Sequence, residues 1–345
     1  MGKILPVLSE MPRIVKEKIV DATDALSKLS LRQCSTEYLE LVNKSETAYE
    51  ELEIELVEGF ECIRINFVVN SYYKLFLMFY PHRNGYAIRN LRCERVVRDE
   101  NFIDGAVNQF YWRFLSGSKV ILKNLTITVQ KKSLFPCVRS ERYPWEHFHQ
   151  NRSHFFRRME EAFGMSKRRM KVWQLCLDFH GDQEQLHCIL PHLQPGFLER
   201  IHLADMSALL DYRLLEMEKI TATEQWKQAK GVTIFNLIVD LPFQHWSSFQ
   251  STWFHLPGLS ITEIDNMIEN SKRMPIPFMC FLSVLHCDET ALIEYMNQYP
   301  RIPEEEDCFK VSMPNPQEWL RVHIMLGGHS TEFSMWKESI KDEKE

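Results

Sequence analysis

Six times between residues 122 and 281 the chain sets apolar residues at the first, fourth and sixth positions of a short run, in one phase relative to the helical patterns between. The runs are Leu122/Leu125/Ile127, Val172/Leu175/Leu177, Leu198/Ile201/Leu203, Ala229/Val232/Ile234, Leu256/Leu259/Ile261 and Ile276/Met279/Phe281. Their starts are 50, 26, 31, 27 and 20 residues apart, the first interval being near twice a single one. A period in this range belongs to leucine-rich-repeat-like folds, where each strand and helix buries its apolar side only against its neighbours. The position that would hold an Asn or Cys ladder carries Gln130, His180, Met206, Leu237, Ile264 and Val284, so the expected architecture is an irregular α/β solenoid.

Two other patterns precede it. Over residues 11–43, Ile14, Val15, Lys18, Ile19 and Ala22 form a stripe at helical spacing after Pro12; Asp24 and Ser35 can cap a second and a third helix. Roughly 33 residues bury too little to stand alone, so this unit needs a surface to pack on. From Leu52 the period falls to two, in Leu52–Leu56, Cys62–Phe67 and Tyr72–Tyr80, which predicts a short antiparallel meander. The expected organisation is a helical unit over 1–45, a meander or linker over 46–100, a repeat domain over 101–330 and a tail over 331–345. Glu304–Asp307 is expected in a loop.

Composition narrows the function. With 45% apolar and 26% charged residues the chain is globular, and 41 Lys and Arg against 47 Asp and Glu give −6, so nucleic acid is not the expected partner. Nine cysteines without a C-x-x-C fit a reducing compartment, hence the cytoplasm or nucleus. No apolar run approaches the about 20 residues that span a bilayer, and Pro6 after Gly2 fits neither a secretory nor an acylation signal. The nucleotide, zinc-protease and nucleophile-elbow motifs are missing, and 12 glycines leave little material for phosphate loops. Cys137 with His147, His149 and His154, and His187, Cys188 and His192, have poor spacing for zinc. Neither a metal nor a cofactor is expected. The strongest charge asymmetry is the basic run Arg152, Arg157, Arg158, Lys167, Arg168, Arg169 and Lys171, read as a solvated face.

Two stretches carry a resemblance: Ile-Leu-Pro-His-Leu-Gln-Pro-Gly-Phe-Leu-Glu-Arg-Ile-His-Leu at 189–203 and Met-Glu-Lys-Ile-Thr-Ala-Thr-Glu-Gln-Trp-Lys-Gln-Ala-Lys at 217–230. They resemble the FTH domain of nematode-type F-box proteins, the F-box A family, over about residues 165–315. The N-terminal residues Met11-Pro12, Ile14, Ile19, Leu29, Leu31-Arg32 and Cys34 are similar to an F-box start, with Ser35-Thr36-Glu37 in place of its usual basic residues. The resemblance implies a non-catalytic subunit of a ubiquitin ligase. Its F-box would dock on a Skp-type adaptor of a cullin–RING complex, and its C-terminal domain would hold a client protein. The adaptor-facing residues would be Met11, Pro12, Ile14, Val15, Ile19, Leu29 and Leu31. The alternative is a binding module whose F-box has decayed.

Strand alternation then nominates the client face. If the fourth and sixth residues of each run enter the core, Asn124, Thr126, Thr128, Gln174, Cys176, Asp178, Arg200, His202, Thr233, Phe235, Ser260 and Thr262 point the other way. The anchors expected on that face are Asn124, Thr126, Gln174, Asp178, Arg200, His202 and Phe235. Phe278, Cys280 and Leu282 break its polar character at the last strand. Trp226 is expected to be a core anchor.

Overall fold

The computed structural model describes residues 11–57, 62–70, 73–90, 93–116, 119–130, 145–178, 183–205, 213–275, 277–303, 305–327 and 330–339. The chain is mixed α/β and forms two compact units. The first takes the described residues up to Cys176 together with Cys188–Leu198. The second takes Leu177–His187 and the chain from Glu199 onward. Among the described residues, no helix is long and apolar enough to cross a membrane.

The first unit opens with α1 (Arg13–Ala22), α2 (Ala25–Cys34) and α3 (Thr36–Lys44). Pro12 presets the entry to α1, and its carbonyl accepts from the Val15 and Lys16 amides. Ser35 caps α3 by accepting from the Tyr38 amide at 3.3 Å. Val20, Tyr38, Leu41 and Val42, with Leu31 against them, make a small core. Buried Lys16 joins α1 to α3 through Glu37 at 2.7 Å. The surface this unit needs is supplied by its own chain. Lys28 donates to the Glu46 carbonyl at 2.7 Å, and Arg32 to the Arg113 carbonyl at 3.0 Å.

The sheet of this unit runs in the order β5 (Glu94–Arg98), β4 (Gly85–Arg89), β3 (Tyr73–His82), β2 (Cys62–Asn70), β1 (Glu46–Val57), β6 (Lys119–Gln130), β7 (Lys171–Asp178). From β1 to β5 it is an antiparallel meander. Sequence periodicity did not place β6 parallel to β1, with Leu52 opposite Leu125 and Ile54 opposite Ile127. Between β5 and β6 come α4 (Phe102–Phe110) and one π-helical turn, Tyr111–Leu115. The extra residue in that turn drives Phe114 and Leu115 inward and leaves Trp112 63% exposed. Tyr49, Phe67 and Phe114 pack edge to face there. The helix α5 (Trp145–Met165) adds Phe163 against Phe110 at 5.5 Å.

In the second unit β8 (Arg200–Ala204), β10 (Gly231–Val239), β11 (Ser251–Gly258) and β12 (Met279–His286) lie parallel, with β9 (Arg213–Leu215) along the far end of β10. The short helices α6 (Gln183–His187), α7 (Glu218–Thr221) and α8 (Glu224–Gln228), then α9 (Ile261–Ser271) and α10 (Glu289–Met296), complete it with β13 (Arg301–Ile302), β14 (Glu305–Ser312), β15 (Glu318–Leu326) and β16 (Thr331–Ser339). Here three expectations are corrected. The tail expected from 331 is instead β16, antiparallel to β12, because Phe333 and Met335 alternate into the core. Glu305–Asp307 begin β14 instead of forming a loop. The runs at 256–261 and 276–281 are out of phase. β11 buries Thr252, Phe254 and Leu256, Ser260 caps α9, and β12 buries Cys280, Leu282 and Val284 while Met279 is 44% exposed. β12 is apolar on both faces and β11 carries a large apolar ring on each, Phe254 on one and Trp253 on the other, so alternation alone could not choose between them.

Candidate functional site

Slipping β11 and β12 by one residue changes what the open face of the second unit presents. Trp253 and Phe281, on the face opposite the buried residues, join Phe235 in a continuous ladder. The Phe235 and Trp253 rings lie 4.9 Å apart at 62°, and Trp253 and Phe281 lie 5.7 Å apart at 39°. Across the strands the backbone register aligns His202, Thr233, Trp253, Phe281, Ser334, His323 and Cys308 in one row.

Local backbone chemistry builds the ladder. The register of β10 shifts between Thr233 and Ile238, and Asn236 sits there at φ +59°, a left-handed conformation that Asn tolerates well. Its side chain donates to the Asp205 carbonyl at 3.3 Å, and a bulge of this kind re-aims the neighbouring side chain, here Phe235. Trp253 keeps 45% of its surface exposed, although a solvated sheet face is usually polar. Farther along the same face Arg321 stacks on Trp336 at 5.1 Å and pairs with Glu338 and Glu305, while Lys310 sits 5.0 Å over Trp319. Of these cations Arg321 is neutralised by its two carboxylates, whereas Lys310 is held, among the described residues, by the Trp319 ring alone.

Two imidazoles flank the ladder. Burial, helped by the Arg200 charge, lowers the pKa of His202; burial also lowers that of His255, against the pull of Glu332. Each neutral ring is therefore favoured by folding. As pH falls below the usual imidazole value of about 6.5, the unfolded chain takes up protons first and stability is lost. Urea midpoints should fall from about pH 7 to about pH 5, and should fall less in the double variant His202→Asn, His255→Gln. Identical pH profiles for the two proteins would contradict this assignment.

The expected client anchors separate. Arg200 is exposed, and His202 and Phe235 are half-buried beside the ladder in the second unit. Asn124, Thr126 and Gln174 are half-buried in the first, with Asn124 opposite Glu51 and Thr126 opposite Glu53. Asp178 is corrected outright: at 6% exposure it is a buried residue following buried Leu177 and cannot meet a client. Ser260 and Thr262 belong to α9 and its cap. What sequence reasoning missed is Trp253, Met279 and Phe281. The signal was present as Trp253, His255, Phe281 and Ser283 at period two, hidden by an equally apolar opposite phase.

At the N-terminus, Pro12, Ile14 and Val15 are exposed, Ile14 at 65%, and Met11, Ile19 and Leu31 are half-buried. The Leu29 side chain lies outside the described residues. So do Cys137 and the side chains of His147 and His149, so that candidate zinc set is not described as a whole. Among the described residues no group of three or more His, Cys, Asp or Glu could hold a metal. His154 instead meets Asp104 at 3.0 Å, and His192 stacks on Phe163 at 5.6 Å. Burial pushes the Cys280 thiol up to about 12, so it serves as apolar filling and is not a nucleophile.

No curated protein and no solved structure matches the chain. A family model does, over a stretch that starts and ends earlier than the resemblance suggested and that holds Arg200, His202, Phe235 and Trp253. Residues 153–275, from within α5 to just beyond α9, match the FTH domain.

Proposed function

We propose that this chain is the client-recognition subunit of a Skp–cullin–RING ubiquitin ligase, acting without catalysis or cofactor in the cytoplasm or nucleus. In this reading α1–α3 are an F-box that docks on a Skp-type adaptor through Pro12, Ile14, Val15 and Ile19. The parallel strands β8–β12 are an irregular leucine-rich-repeat-like stack whose open face holds the client protein. The observation that carries it is the Phe235–Trp253–Phe281 ladder with Trp253 exposed at its centre, since aromatic anchors on an open face are the usual hot spots of protein recognition. The FTH match adds support, because that domain is associated with F-box proteins. A second reading, a binding module with a decayed F-box, draws on Ser35 and Glu37. Both are committed internally, to the α3 cap and to Lys16.

Co-purification of the full chain with a Skp-type adaptor and reconstituted client ubiquitination separate the two readings. Ile14→Asp, at an exposed site that leaves folding intact, should weaken adaptor capture by about tenfold or more. Trp253→Ala should leave capture unchanged and abolish client modification. Capture by wild type and by Ile14→Asp alike would overturn the F-box assignment, and no capture at all would favour the second reading.

A further inference from the structure

The basic run divides into two halves with different fates. On α5, Arg157 pairs with Glu161 at 2.6 Å, and Arg158 pairs with Asp104 at 2.7 Å and also with Glu161. Arg157 and Arg158 are thereby neutralised. Beyond α5, Arg168 and Arg169 are exposed and form no ion pair with any described residue. They border a cleft of about 610 Å³ together with Lys119, at the start of β6, and Lys171, at the start of β7. Glu46, at the start of β1, is the carboxylate on this rim, and it meets Lys171 at 3.0 Å.

The walls are built, not draped. Ser166 donates to the Arg168 carbonyl at 2.8 Å and pins the loop that carries both arginines. The Met170 amide donates to the His192 carbonyl at 3.0 Å, and the Gln194 amide to the Met170 carbonyl at 2.9 Å, which fixes the opposite side. Phe114, Leu115, Val120 and Met170 line the interior, all nearly inaccessible. Four cations against one carboxylate on a chain of net charge −6 make this a local reversal of sign, and such a cleft concentrates negative ligands.

We propose that this cleft is a docking site for an acidic peptide segment of a partner protein. Its volume exceeds what one small anion fills and lies within the usual range of organic ligand sites. Single-stranded RNA would need rings to stack on, yet the one aromatic lining residue, Phe114, is 1% exposed. Glu46 would also repel a phosphate chain, whereas a peptide can place an amide opposite it. The site shares no residue with α1 or with the aromatic ladder, so it stands or falls independently of the ligase reading.

The test is fluorescence anisotropy of the full chain with a labelled ten-residue peptide of alternating Glu and Leu. Saturable binding should weaken by about tenfold or more in the double variant Arg168→Glu, Arg169→Glu, and should weaken with added salt. Glu46→Gln should tighten it, and the same peptide with Gln for Glu should not bind. Should the double variant shift the urea midpoint, Lys119→Glu gives the same reading from another strand. Absence of saturable binding, equal binding by wild type and both charge-reversed variants, or tighter binding of a ten-nucleotide oligouridine would overturn the proposal.

Discussion

Replacing Trp226 with Ala is expected to cost about 3–5 kcal/mol of stability, the range for removing a buried Trp or Phe. Trp226 is 1% exposed, packs edge to face on Phe249 at 5.2 Å, and donates from its indole nitrogen to the His245 carbonyl at 2.9 Å. It sits on α8, a five-residue helix capped by Thr223 and too short to persist without the ring that fastens it. Trp226→Phe separates the two contributions. The ring contact survives in part, while the His245 carbonyl loses its donor, at about 1–3 kcal/mol. Urea midpoints should order wild type above Trp226→Phe above Trp226→Ala, and an unchanged midpoint in the Ala variant would contradict the anchoring role.

Gly105→Ala is the second large effect, although it swaps the poorest common helix residue for the best. On propensity alone it should gain about 1 kcal/mol. A Cβ at this position, however, would lie 2.2 Å from the Tyr86 ring and 2.6 Å from its hydroxyl oxygen. Tyr86 is 4% exposed and is backed by Phe79 at 6.1 Å, so it has nowhere to retreat. Overpacking of this kind costs about 1–3 kcal/mol. Pairing Gly105→Ala with Tyr86→Leu should cost less than the two single changes together, because the smaller side chain vacates the contested space. Additive midpoint shifts would show that the two residues do not collide.

Local chemistry that the sequence states openly is where reading and structure agree. Pro12, Ser35 and the period-two runs near 54, 65 and 77 mark helix entries and strands in terms the backbone obeys directly. Long-range choices were less legible. Nothing local tells β1 to accept β6 in parallel, or β16 to lie beside β12, since those pairings are decided by which apolar edges remain uncovered after collapse. The candidate site failed at a finer point: Ser251–Leu256 offers Thr, Phe and Leu on one face and Trp and His on the other. The Trp253 phase was settled by neighbouring strands. Asp178 was misplaced for a similar reason, because alternation says which way a residue points and nothing about what covers it.

The path of the chain between its two units governs the order in which they can be completed during synthesis. The chain leaves the first unit at Leu177, re-enters it at Cys188 and leaves again at Glu199. When β7 emerges from the ribosome, Met170 still lacks the His192 and Gln194 backbone groups that bond it, so the first unit stays unclosed until both are out. By then Leu177–His187 is exposed too, with Leu186, fully buried in the finished molecule, waiting for partners. One of these is α7, whose Lys219 pairs with Glu184. The last strand, β16, follows Glu199 by roughly 140 residues, which at typical elongation rates takes about 7–30 s. For that interval the nascent chain carries one nearly finished unit and the first piece of another, so chaperone demand should peak there and not at either terminus.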